Sequence, residues 1–164
     1  MSTIAGTLNI GAEALIRLAL ALSSERTLCI QGESGIGKSD ITGQIATKKR
    51  SDFYKDPENC QHMVDDWNRL SEGTDNLTSW SYEDGLPLVM RRLSQITEGD
   101  LLGIPREAKN GGTRFTLTDW VVFVCRYPSV LFLDERNRAL EAIKQAIFEM
   151  QDSHGFHGMK FHAD

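Results

Sequence analysis

The sequence predicts an α/β fold: a parallel β-sheet flanked by helices, in three α/β/α layers. Three observations predict it. Short apolar runs that suit buried strands alternate with stretches of helical periodicity. One run, "TLCIQ" at 27–31, passes through a glycine-rich loop straight into a helical stretch. Another, "SVLFLD" at 129–134, is a run of apolar residues closed by an acid, the pattern of a strand buried on both faces.

The elements follow in order. Residues 11–24 are rich in Ala and Leu, with neither Gly nor Pro after Gly11, and predict a helix. A strand at 27–31, the loop and a helix from about Lys38 to Lys49 come next. Asp56-Pro57 reads as a helix start, with Asp as cap and Pro at the first position. Cys60, Met63, Val64, Trp67 and Leu70 then recur at helical spacing. "LPLVMRRL" (86–93) predicts a second strand, and "EGDLLGIP" (98–105) a loop or helix start. Asn110-Gly111 within 107–115 signals a hairpin. "DWVVFVC" (119–125) is undecided between strand and helix, because periodicity does not separate them. Leu140, Ile143, Ile147 and Met150 fall on one helical face within 137–150, and 154–162 reads as a turn and hairpin.

Composition limits the function classes. The 164 residues suit one domain with one core, and 40% hydrophobic with 25% charged residues argues against disorder. A net charge of −5 gives no reason to expect nucleic acid as a partner. Residues 51–85 hold nine acids and two bases, a balance of −7, so the remainder of the chain is +2. That segment reads as an acidic insertion, either an accessory or client-binding surface or a solvated insertion. Three widely spaced cysteines, Cys29, Cys60 and Cys125, suggest reduced thiols and a cytoplasmic location. "ALIRLALAL" (14–22) is interrupted by Arg17 and is far shorter than the roughly 20 residues of a membrane span, so no membrane partner is expected.

Gly32-Glu33-Ser34-Gly35-Ile36-Gly37-Lys38-Ser39 fits the spacing of a phosphate-binding loop. Glycines let the backbone turn its N–H groups inward onto an anion, and the following helix adds its positive end. Lys38 would reach the β- and γ-phosphates, and Ser39 would offer an oxygen to Mg²⁺. At the end of "VLFLDE", Asp134 would hold the Mg²⁺ hydration shell and Glu135 would act as general base on an attacking water. The plainer reading makes Asp134 or Glu135 a helix cap; the loop upstream tips the balance to the catalytic one.

Taken together, "NIGAEALIRLALALSSERTLCIQGESGIGKSDI", "LVMRRLSQITEGDLLGIP" and "VLFLDERNRALEAIKQAIFEM" resemble the AAA+ ATPases, specifically the MoxR-like group. The resemblance covers roughly 9–50 and 86–162 and skips 51–85. It implies ATP and Mg²⁺ as cofactors, and ATP hydrolysis driving remodelling of a protein client. It implies a homo-oligomeric ring, usually hexameric. Gly32 to Ser39, followed by Asp40, match its Walker A loop, and Asp134 and Glu135 its Walker B pair. Ile10 and Gly11 match the position lining the adenine pocket, and Asn137 and Arg138 the pair after the acids. Family members continue into a sensor strand, an arginine finger and a helical lid, so the chain is expected to be a single nucleotide-binding core, 1–164, incomplete at its C-terminus. The alternative is a nucleotide-binding assembly or regulatory module with little hydrolysis of its own. His154, His157 and His162 lack a familiar zinc spacing, and Trp67, Trp80 and Trp120 lack the basic patch that base stacking would need.

Overall fold

Buried apolar side chains fall into two separate sets, and the gap between them positions everything of functional interest. A computed structural model describes residues 10–23, 26–33, 35–71, 76–156 and 158–162. The smaller set is Ile16, Ala19 and Ile45, with Leu28 and Ile41 against it. It joins helix α1 (Ala12–Ala21) to helix α2 (Lys38–Lys48). The larger set runs from Tyr54 to Phe156 and contains all the other helices' apolar faces.

The larger core is built around two parallel strands, β1 (Leu88–Arg92) and β4 (Val130–Asp134). Between them in sequence lie helix α4 (Glu98–Leu102), the antiparallel hairpin β2 (Ile104–Glu107) and β3 (Thr113–Thr116), and helix α5 (Asp119–Arg126). Helix α6 (Glu141–Ser153) follows β4, and a short hairpin, β5 (Gly155–Phe156) with β6 (Met159–Lys160), follows α6. The fold is thus α/β with a small parallel sheet. Among the described residues no helix is long and apolar enough to cross a membrane.

The undecided "DWVVFVC" stretch is a helix. Trp120, Val121, Phe123 and Val124 are buried, the i, i+1, i+3, i+4 pattern of one helical face. Helix α3 (Pro57–Leu70) starts as its sequence suggests: Asp56 Oδ1 accepts from the Glu58 N–H at 2.9 Å and Pro57 takes the first turn.

One expectation needs correction. The wide parallel sheet is absent among the described residues: it has two strands, and "TLCIQ" at 27–31 is not one of them. That segment is unpaired, Cys29 is exposed, and Leu28 packs on the α1–α2 set instead. Strand composition supplies side chains for a sheet, but a strand also needs a neighbour at about 4.8 Å, and among the described residues none pairs with it. The acidic segment 51–85 contributes apolar side chains to the main core. Tyr54, Cys60, Met63 and Val64 are in the main core, while its described acids stay largely outside.

A polar strut ties this segment to α5. Asp66 Oδ2 accepts from the Tyr127 hydroxyl (3.0 Å) and from Arg126 (3.1 Å), and Arg69 reaches Oδ1 at 3.2 Å. Burial opposes ionisation of Asp66, but the hydrogen bonds from Tyr127, Arg69 and Arg126 outweigh it and lower its pKa. Burial, reinforced by the neighbouring Asp66 charge, pushes the Tyr127 phenol up to about 12, and burial pushes the Cys125 thiol up to about 11.

Two predictions test this packing. Met63→Ala, at a side chain with 0% exposure, should lower the free energy of urea unfolding by about 2–5 kcal/mol; a loss within about 0.5 kcal/mol would return 51–85 to the surface. Both raised pKa values keep the neutral form in the fold, so their stabilisation is full below the unfolded values, 9.0 for Cys125 and 10.0 for Tyr127. It should fade as pH rises from 9.0 to about 12, and Tyr127→Phe should flatten the part above 10.0, read as urea midpoint against pH.

Candidate functional site

The glycine-rich loop enters α2 with Gly35 at φ 84° and Gly37 at φ 79°, both in the left-handed region that side chains disfavour. Gly37 is the N-cap of α2 and provides no side-chain cap, so the N–H groups of the first turn have no side-chain partner from that position. Lys38 is the first helical residue. Its ammonium folds back over the loop and donates to the carbonyls of Gly32 (3.1 Å) and Glu33 (2.7 Å). A half-buried Ser39 follows in the same turn.

The acid pair ends β4. Asp134 Oδ1 accepts from the Glu135 N–H at 2.8 Å. Glu135 sits at φ 57°, one of two non-glycine residues with positive φ among those described. For an L-residue this conformation costs roughly 1–2 kcal/mol, and such strain clusters at working sites. The Glu135 carboxylate accepts from the Ser94 hydroxyl and lies 4.0 Å from the Arg138 guanidinium. Ser94 reaches it because β1 and β4 are parallel and in register, Arg92 opposite Asp134, so their C-terminal ends emerge side by side.

One cleft of about 1370 Å³ joins the two parts. Gly32, Gly35, Gly37, Lys38, Ser39 and Asp40 line one wall, and Asp134, Glu135, Asn137 and Arg138 the other. Its charged lining is opposite to the chain as a whole. Arg26, Lys38, Lys49 and Arg50 on one side, with Arg136, Arg138 and Lys144 on the other, outnumber Asp40, Asp134 and Glu135 by four, in a protein of net −5. Seven cations converging on one cleft favour an anionic occupant.

Not every expected residue is gathered there. Glu33, Ile36, Ile10 and Gly11 do not line the cleft, and Ile36 and Ile10 are 52% and 37% exposed. Ser34 and His157 lie outside the described residues. Among the described residues no three His, Cys, Asp or Glu side chains could hold a metal. Trp120 is buried, Trp67 packs on Phe123 at 5.5 Å and Trp80 donates to the Gly85 carbonyl, so all three serve packing. Two residues were missed. Ser94 could have been found by extending the second strand until it drew level with the acids. Arg136, whose guanidinium lies 4.3 Å from the Phe148 ring centre, carries no local signal.

No protein-family model matches the chain, and no curated protein or solved structure matches it significantly. The residues and their geometry therefore carry the functional reading.

Proposed function

We propose that the chain binds a nucleoside triphosphate, ATP by the resemblance above, with Mg²⁺, and hydrolyses its γ-phosphate. One observation carries this: a single basic cleft is shared by the Lys38–Ser39 loop and by Asp134 with Glu135. Lys38 and the N–H groups of the first turn of α2 would take the phosphate charge, the ammonium exchanging loop carbonyls for phosphate oxygens. The donor set fits Mg²⁺, a hard ion content with one or two protein oxygens and several waters. Ser39 and Asp134 would hold it, and the ion when bound would neutralise charge on the phosphates. Glu135 would take the proton of the attacking water. A MoxR-like AAA+ assembly, with a hexameric ring, a protein client and a cytoplasmic site of action, extends the proposal on the strength of the quoted motifs.

One observation favours a second reading, nucleotide binding with little turnover. The Glu135 carboxylate is already engaged by Ser94 and Arg138, which leaves it less available to a water.

Titration of a fluorescent ATP analogue in Mg²⁺ tests the first step. Binding should weaken at least about tenfold in Lys38→Ala, a loss of about 1.4 kcal/mol; equal affinity in that variant would overturn the site. Phosphate release separates the two readings. Glu135→Gln should keep binding and lose turnover by about 10²-fold or more, whereas tight binding without release in the unaltered chain would establish the binding module.

A further inference from the structure

A second hollow, separate from the cleft, is lined by an arginine that no acid neutralises. Side chains alternate along β1, so Arg91 shares the face of Val89, which is 4% exposed and part of the core. A charge on the core side of a strand needs a partner, because losing water around it is costly. Arg91 is half-buried. Its guanidinium carbon lies 5.6 Å from the Trp120 ring centre, and one nitrogen donates to the Met90 carbonyl at 2.9 Å. Among the described residues every ion pair falls elsewhere, so most of the guanidinium's N–H donors have no protein acceptor.

The acid whose charge reaches it is committed elsewhere. Asp100 Oδ2 accepts from the Thr97 N–H and from the Thr97 hydroxyl, both at 2.8 Å, which holds it at the start of α4. Burial lowers the Arg91 pKa and Asp100 offsets this only in part, as expected of a charge left short of a counter-charge.

The hollow beside Arg91 measures about 460 Å³, within the span of small-molecule sites. Met90, Ile96 and Trp120 give it an apolar side, and Arg91, Arg92 and Gln95 give it donors. Asp100 is its one acid, so two arginines leave the lining at +1. One negative charge balances it, whereas a dianion such as phosphate would set surplus charge against Asp100. The planar guanidinium also matches a carboxylate through two parallel bonds. None of these residues lines the cleft of the phosphate loop.

We propose that this hollow binds a monocarboxylate with a small apolar body, its carboxylate held by Arg91 and Arg92 and its body lying against Trp120, Ile96 and Met90. The site is independent of the nucleotide function proposed above, and its test is run without nucleotide.

The test follows the Trp120 indole N–H and the Gln95 side-chain amide of the full chain by NMR at fixed ionic strength. Benzoate should shift both signals to saturation at millimolar concentration. Benzamide, the same body without the charge, and inorganic phosphate should each act on these two signals at least about tenfold more weakly. Arg91→Lys keeps the charge but loses the fork, and should weaken benzoate by about fivefold or more. Arg91→Gln should abolish the shifts, with unmoved Phe132 and Leu133 amides showing that the β1–β4 pairing is intact. Arg92→Gln, at an exposed position, should weaken benzoate too and serves where an Arg91 variant disturbs the fold. Acetyl-Gly-Phe offers the same group as a peptide terminus; saturation by either ligand supports the site, and the tighter one names the source. The proposal is overturned by benzamide or phosphate acting as tightly as benzoate, by unchanged affinity in Arg91→Gln and Arg92→Gln, or by no saturable shift at these two signals.

Discussion

The parallel pairing of β1 with β4 is the constraint on which the rest of the structure depends. Parallel strands cannot be joined by a tight turn, so the chain between them must leave the sheet and return. Here it makes α4, the β2–β3 hairpin and α5 on the way, and α5 brings Trp120, Val121, Phe123 and Val124 into the core. The register then decides the chemistry. With Arg92 opposite Asp134, the residues just past each strand are neighbours, and Ser94 meets Glu135 across 41 positions of sequence. A slip of one residue would turn Asp134 to the other face of the sheet and separate that pair.

Much of this was legible because local chemistry and tertiary fate agree. Asp56-Pro57 caps α3 as its sequence suggests, and the spacing of Cys60, Met63 and Val64 is the buried face of that helix. Thr97 and Asp100 form a reciprocal cap at the start of α4, in the stretch left open between loop and helix start. The misreadings arise where tertiary context decides. "TLCIQ" and "SVLFLD" have the same apolar character, and among the described residues only the second finds a paired neighbour. The charge of 51–85, for its part, does not say where Tyr54 and Met63 go, which is into the core. Net charge averages over a helix whose two faces have opposite fates.

Of the site, the loop and the acids were legible as motifs, because glycine spacing and a strand ended by carboxylates have direct physical meaning. Their convergence on one cleft was not, since it depends on how α1 and α2 stand against the sheet. Nor was the basic lining. Arg26, Lys49, Arg136 and Lys144 are scattered through the sequence, and only the fold collects them on the cleft.

The resting state of the loop also bears on how an anion would be selected. Lys38 is held by two carbonyl oxygens, each with only a partial negative charge. A neutral polar ligand would exchange one such contact for another and gain little. A polyphosphate would offer full negative charges to the ammonium, making ion pairs in place of ion–dipole contacts, and to the N–H groups at the start of α2, whose bonds to an anion are roughly twice as strong as neutral ones. On the proposed function, the self-bonded lysine would therefore set a threshold that favours multiply charged ligands over singly charged or neutral ones. On the proposed function, the Glu135–Ser94 bond would set a comparable threshold for catalysis. A water must compete with a hydroxyl that the parallel register already holds against the carboxylate, so turnover would require that contact to open. On the proposed function, binding and hydrolysis would thus be restrained by different contacts in one cleft, and a change in one need not move the other.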